Sequence, residues 1–243
     1  DNREFTIYLR KGVYWHSPPR EIDNSRYQWL RKKREITSHD FFFAYRTIMN
    51  RGVLSYLRSL YKDIESFQVI DRYTFSVRWK SSLYTNISYT FRQFPLPEFI
   101  YAYDERGRKI PRSEFAERFR RHWYSKKMMG CGPYKFVEYV KNRHLRLERN
   151  EDYYGYKPAI KYVKFVIIQD EDLAYQKLKS KEIDLITRLS VNIYRNDIYT
   201  LNSQSPFYQN KLDYKLYLLM GHYHIKWNNR HPIFRDKMVR RAM

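Results

Sequence analysis

A chain of 243 residues with 43% hydrophobic side chains can bury a sizeable core, which excludes disorder of the whole polypeptide. Its 47 Lys and Arg against 26 Asp and Glu leave a formal charge of +21, a field that attracts nucleic acid, anionic lipid or an acidic cell-surface polymer. The single cysteine, Cys131, excludes an intramolecular disulfide, and no apolar run approaches membrane-spanning length.

The first element in the chain is an alternating run, Phe5-Thr6-Ile7-Tyr8-Leu9-Arg10, which predicts a strand stopped at Gly12. A polar, Pro-containing stretch over 16–35 then reads as a loop and carries the densest basic cluster, Arg31-Lys32-Lys33-Arg34. Thr37 followed by Asp40 resembles a capping box, predicting a helix to about Asn50 with Phe41, Ala44, Tyr45 and Ile48 on its buried side. Two alternating runs, 64–70 and 73–79, meet at Asp71-Arg72 and predict a β-hairpin. After the connection Phe94-Pro95-Leu96-Pro97, Ser113 is expected to cap a helix carrying Phe115, Phe119 and Trp123. Strands and helices mixed without a regular βα rhythm make 1–126 one α+β unit.

Composition changes at Met128-Met129-Gly130-Cys131-Gly132-Pro133-Tyr134, where two glycines and a proline mark a sharp turn. Beyond it, 134–140 and 144–149 alternate around Lys141-Asn142 and predict a second hairpin. The run 160–168 reads as a strand, Asp170 as the cap of a helix through Lys179, and 183–186 as a further strand. Together they predict a right-handed βαβ crossover with a parallel pair. Two more strands are expected over 214–220 and 222–227, and a basic helix over 235–243. A start at a strand and a stop partway through a helix suggest a fragment of a longer protein.

Chemistry-bearing residues are sparse. His222 and His224 lie two apart on an expected strand and so share a face. With His231 they would make three imidazoles, but no Cys or carboxylate spacing supports a metal site, and none is expected. Cys131 between two glycines reads as a small residue in a tight turn, because a reactive thiolate needs a neighbouring cation or helix N-terminus and a base. The carboxylates Glu151-Asp152 and Asp170-Glu171-Asp172 read as caps and dipole partners. A phosphate-cradling loop, a nucleophile elbow and a His-Glu-x-x-His pattern are all missing from the sequence, so no enzyme motif supports catalysis and no cofactor is expected.

Six segments taken in order resemble the extracytoplasmic solute-binding proteins of the oligopeptide and dipeptide ABC importer family, known as family 5. They begin with Phe5 to Trp15, Ile36-Thr37-Ser38-His39-Asp40-Phe41, Gly130-Cys131-Gly132-Pro133-Tyr134 and Leu147 to Gly155. The fifth is Lys181-Glu182-Ile183-Asp184, and the sixth leads from Trp227-Asn228-Asn229 through Pro232-Ile233-Phe234-Arg235-Asp236 to Val239-Arg240-Arg241-Ala242. The family departs from this chain after Trp15, where it usually has a short Asp-Gly turn and this sequence has an insertion reaching Glu35.

The resemblance implies an incomplete periplasmic-binding-protein-like fold of the type II, three-domain peptide-binding class, α+β and α/β in character. It maps 1–126 to the accessory α+β domain, 127–216 to part of the first ligand-binding lobe and 217–243 to the start of the opposing lobe. It further implies a monomer in the periplasm or cell envelope, often a lipoprotein, that captures short peptides by lobe closure and serves a membrane permease of an ABC transporter, with no nucleic acid expected. On that mapping the ligand-binding candidates are His222, His224 and Lys226 on a strand crossing between lobes, with Lys226 pairing a ligand carboxylate, and Cys131 and Tyr134 on a second crossing near the hinge. The alternative is a basic nucleic-acid or anionic-polymer binder without a transport role.

Overall fold

The computed structural model describes residues 2–19, 22, 25–199, 204–216 and 225–243. By internal compactness they fall into two units, Asp1–Ile168 and Gln169–Met243. This division is a different one from the boundaries near 126 and 216 that the family resemblance implies.

The first unit holds two antiparallel three-stranded sheets. Strand β1 (Glu4–Tyr8) pairs with β3 (Thr74–Trp79), which pairs in turn with β2 (Ile64–Asp71), giving the order β1-β3-β2. In this register Val77 lies opposite both Phe5 and Phe67, and Phe75 opposite both Ile7 and Val69. The alternating apolar residues therefore stack on one face, as the pleat requires. Helix α1 (Ser38–Met49) lies over that face, with Phe41, Phe42, Tyr45 and Ile48 packed against the buried Phe67, Phe75, Val77 and Trp79. Its start is set as the sequence predicts, the Thr37 N–H and hydroxyl both donating to the Asp40 carboxylate at 2.8 and 3.2 Å. The turn closing β1 uses Gly12 at φ +77, a conformation costly for residues with a Cβ.

Two short helices, α2 (Arg58–Tyr61) and α3 (Thr85–Phe91), flank the hairpin. Helix α3 is tied down by Thr90, whose hydroxyl accepts from the Trp79 indole N–H at 3.0 Å and donates to the Asn86 carbonyl at 2.8 Å.

The stretch 16–35 is more ordered than a polar loop. It contains a 3-10 segment, Ser25–Leu30, and its Ile22 and Leu30 join Ile100 and Tyr124 in a second buried cluster. Tyr27 stacks on Trp123 at 5.2 Å with an interplanar angle of 5°. The partner residues come from helix α4 (Glu98–Tyr101) and from the chain after α5 (Phe115–Arg120).

That chain corrects a second expectation. The residue at the start of α5 is Glu114, not Ser113, and the helix ends before Trp123. The physical reason lies in the side chains that follow. His122 Nε2 donates to the Tyr103 carbonyl at 3.0 Å while its Nδ1 accepts from the Tyr124 N–H at 3.2 Å, and the Trp123 indole donates to the same Tyr103 oxygen at 3.1 Å. These bonds turn the backbone out of the helix and send Trp123 and Tyr124 into the second cluster.

The second sheet has the order β4-β5-β6, from Tyr134–Val140, His144–Arg149 and Tyr162–Val166. The β4–β5 hairpin turns through Asn142 at φ 59, a residue that tolerates the left-handed region.

In the second unit, helix α6 (Glu171–Lys179) is capped as expected, Asp170 accepting from the Leu173 N–H at 2.8 Å. Tyr175, Ile198 and Phe207 form its buried cluster, built from α6, a π-helical turn (Tyr194–Tyr199) that continues α7 (Val191–Ile193), and α8 (Pro206–Gln209). The expected strand over 183–186 is not formed, and every strand pairing among the described residues is antiparallel, so the parallel βαβ unit is withdrawn. Ile186 packs into the apolar cluster while Leu185 stays 75% exposed, which leaves too little alternating burial in four residues to hold a ladder. The strands expected over 214–220 and 222–227 fall mainly outside the described residues, and 214–216 and 225–227 carry no regular element. The closing basic helix resolves into α9 (Pro232–Arg235) and α10 (Lys237–Ala242). No helix among the described residues is long and apolar enough to cross a membrane.

Candidate functional site

The turn around Cys131 is built on long-range hydrogen bonds. The His16 N–H donates to the Gly130 carbonyl at 2.7 Å, and His16 Nε2 donates to the Gly132 carbonyl at 2.9 Å. Asn150, at the end of β5, closes the other side. Its N–H reaches the Pro133 carbonyl at 2.8 Å and its side-chain amide the Gly132 carbonyl at 3.3 Å. Both side chains are buried, and burial holds the His16 imidazole pKa below its usual value and the ring neutral. The turn is therefore fixed by a histidine and an asparagine that the local sequence does not single out. A lone His after Trp15 and an Asn before two carboxylates carried no spacing signal.

Cys131 and Tyr134 come together in this turn. Burial pushes the Cys131 thiol pKa up, opposite to what an activated thiolate needs. Tyr134 donates its hydroxyl to the Ile160 carbonyl at 2.9 Å, which anchors β4 to the start of β6. Of the other expected ligand residues, Lys226 is exposed, while His222 and His224 lie outside the described residues. Among the described residues no group of His, Cys, Asp and Glu is placed to hold a metal ion. Glu151, expected as a cap, instead forms ion pairs with Lys157 at 3.1 Å and Arg149 at 2.9 Å, which lower its pKa and keep it an anion.

Beside the turn, the segment Tyr14 to His16 borders two depressions that share Trp15, Lys32, Lys33, Arg34 and Phe99. One has a volume of about 90 Å³ and also takes in Lys135, Asn150 and Asp152; the other, about 410 Å³ and open, reaches Glu35, Asp40, Arg72 and Glu98. Arg34 lies over the Phe99 ring at 4.7 Å and Lys33 over the Tyr14 ring at 4.4 Å, while Trp15 meets Phe99 edge-on at 6.3 Å. Two of the carboxylates are already engaged. Burial raises the Asp40 pKa against the hydrogen bonds from Thr37, and Glu35 accepts from Tyr73, Gly12 and Arg72. What remains is a ledge of rings and cations, joined by the exposed His39, suited to holding a polar ligand by stacking and charge. The insertion supplies its cationic side, so the 16–35 departure reshapes this surface.

Comparison with known proteins gives the fold its place. The model of the bacterial extracellular solute-binding proteins, family 5 (middle region), matches residues 1–243. The oligopeptide-binding protein AppA of Bacillus subtilis is 24% identical over 241 residues, covering 98% of this chain and 38% of AppA, so the chain spans about two fifths of that relative. Among solved structures, the periplasmic binding protein DppA of Helicobacter pylori in complex with the peptide STSA superposes with a TM-score of 0.60 at 21% identity, over 81% of this chain and 37% of that one. NikZ of Campylobacter jejuni in complex with Ni(L-His) gives the same TM-score of 0.60 at 20% identity, over 82% and 35%. At these identities the superpositions establish a shared fold, that of periplasmic binding proteins of the peptide-binding class. Six ordered sequence segments, the match along the whole chain and the shared fold converge: the chain belongs to family 5 of the bacterial extracellular solute-binding proteins.

Proposed function

We propose that these residues are part of the substrate-binding component of an ABC importer, which captures short peptides outside the cytoplasmic membrane and delivers them to a membrane permease. The observation that carries this reading is the family match along 1–243, together with the fold shared with a protein solved in complex with a peptide. In this reading 1–126 is the accessory domain, 127–216 part of the first lobe and 217–243 the start of the opposing lobe. The Cys131–Tyr134 turn sits at one crossing near the hinge. His222, His224 and Lys226 sit at another, where Lys226 meets a peptide carboxylate. Lobe closure supplies capture, backbone pairing with an extended peptide supplies affinity with little sequence preference, and no covalent step or cofactor takes part. The protein acts as a monomer in the cell envelope.

The test uses the whole gene product that carries these residues. Thermal midpoints are measured with pools of short peptides, with nickel-histidine and with a polyanion. The expected result is a rise with peptides that changes little with salt, since burial in a closed cleft is screened less than surface binding. Lys226→Ala should weaken a peptide with a free C-terminus by up to about fivefold, the worth of an exposed ion pair, and leave its amidated form unchanged. A rise with nickel-histidine alone would move the ligand class. A rise with the polyanion alone that falls steeply with salt would replace the transport reading with polymer binding.

A further inference from the structure

A third cavity lies away from the Cys131 turn, wholly within residues 43–115 of the first unit, and shares only Glu98 with the ledge. It has a volume of about 220 Å³ and is bounded by α1, α4 and the segment before α5. Its apolar lining is Phe43, Ala102, Ile110 and Phe115; Ala102 and Ile110 are buried, and Phe43 meets Phe115 edge-on at 5.8 Å. Its cations are Arg46, Lys109 and Arg112, all exposed, against one carboxylate, Glu98. None of the three is in an ion pair with a described carboxylate, although Arg108 and Arg118 nearby in sequence both are. The lining also includes Thr47, only 5% exposed, whose hydroxyl has no hydrogen-bond partner in the protein. A buried hydroxyl without a partner is disfavoured in a finished structure. Its residue lines a pocket with an excess of positive charge at the rim, while the oxygen itself is closed off from the cavity in the free protein.

We propose that this cavity is a second binding site, separate from peptide capture, for a small organic anion in which one compact apolar group carries a carboxylate. The apolar group fills the space between Phe43, Ile110 and Phe115. The carboxylate accepts from the Arg46 and Arg112 guanidinium groups, which present paired donors matched to its two oxygens, and rotation of the Thr47 side chain on binding brings its hydroxyl round to complete the shell. The volume is below that of pockets for drug-sized molecules, which limits the ligand to about one ring or one branched chain. Two guanidinium groups and an ammonium against a single Glu favour an anion over a zwitterion or a neutral molecule.

The experiment titrates the whole gene product that carries these residues with phenylacetate, phenylacetamide and inorganic phosphate at low ionic strength, by calorimetry and by amide chemical shifts. Phenylacetate is expected to bind, to move resonances of α1 and of 109–115, and to bind at least tenfold more tightly than the neutral amide or phosphate. Arg46→Ala with Arg112→Ala should lower that affinity at least tenfold. Thr47→Val guards against misfolding as an explanation, because removing an unpartnered hydroxyl at constant shape should raise the thermal midpoint of the free chain while weakening phenylacetate. The proposal is overturned if the folded chain does not bind phenylacetate, if the amide or phosphate binds as well as phenylacetate, if the arginine pair is without effect, or if Thr47→Val lowers the midpoint.

Discussion

The Tyr73 hydroxyl donates to a carboxylate oxygen of Glu35 at 2.6 Å, joining the tip of the β2–β3 hairpin to the end of the 16–35 insertion. The other oxygen of Glu35 accepts from the Gly12 N–H at 2.6 Å, and Arg72 adds a contact at 3.3 Å. One side chain thus ties together the exit of β1, the insertion and the hairpin. These bonds, that of Tyr73 foremost, hold the Glu35 pKa below its ordinary value.

The sign of the pH effect follows. With the folded pKa below the unfolded one, the stabilisation is complete above the unfolded value, about 4.3, and is lost as pH falls through the folded value. Tyr73→Phe should therefore lower the urea midpoint at pH 7 and cost progressively less as the carboxylate protonates. Tryptophan fluorescence suits this measurement, since Trp15, Trp29, Trp79 and Trp123 all lie in the first unit. An equal loss at pH 7 and at pH 3 would show that the hydroxyl acts through packing and not through the carboxylate.

His16 and His122 are both buried with pKa values lowered, chiefly by burial. The unfolded chain takes up protons below about pH 6.5 while the folded one does not, so stability is complete above that pH and is lost as pH falls towards the folded pKa. The urea midpoint should drop between pH 7.5 and pH 5, and His16→Gln with His122→Gln should flatten that slope. An unchanged slope in the double variant would assign the acid sensitivity to other groups.

Phe75 is 1% exposed and stacks on Phe67 at 5.0 Å and on Phe41 at 5.1 Å, linking β3 to β2 and α1. Phe75→Ala should cost about 3–5 kcal/mol, a large part of a normal domain stability of roughly 5–15 kcal/mol. Phe94, 70% exposed, should cost within about 0.5 kcal/mol when changed to Ala. Urea unfolding of the two variants side by side checks the contrast, and equal losses would contradict the described core.

The Cys131 thiol should react with a disulfide reagent at pH 7 roughly tenfold or more slowly than free cysteine, because burial keeps it protonated as well as shielded. Unfolding in urea should restore the ordinary rate. Fast labelling of the folded chain would reveal a thiolate that burial does not suppress.

The amino-acid sequence by itself determined the elements whose causes are local. The alternation of Phe5 to Arg10, the paired runs around Asp71-Arg72 and Lys141-Asn142, the Thr37–Asp40 box and the Asp170 cap each lie within a few residues of the structure they produce, and each appears where expected. Only the tertiary structure decided the rest, because its causes are distant in the chain. The Cys131 turn is held by His16, 116 positions from the Gly132 carbonyl it bonds, and α5 is cut short by bonds to Tyr103. The insertion is ordered by Ile100 and Tyr124, and 183–186 forms no strand, with Ile186 drawn to the α6 cluster and Leu185 left exposed. Periodicity and capping report which face of a segment is apolar, but which surface receives that face is settled only when the segments meet.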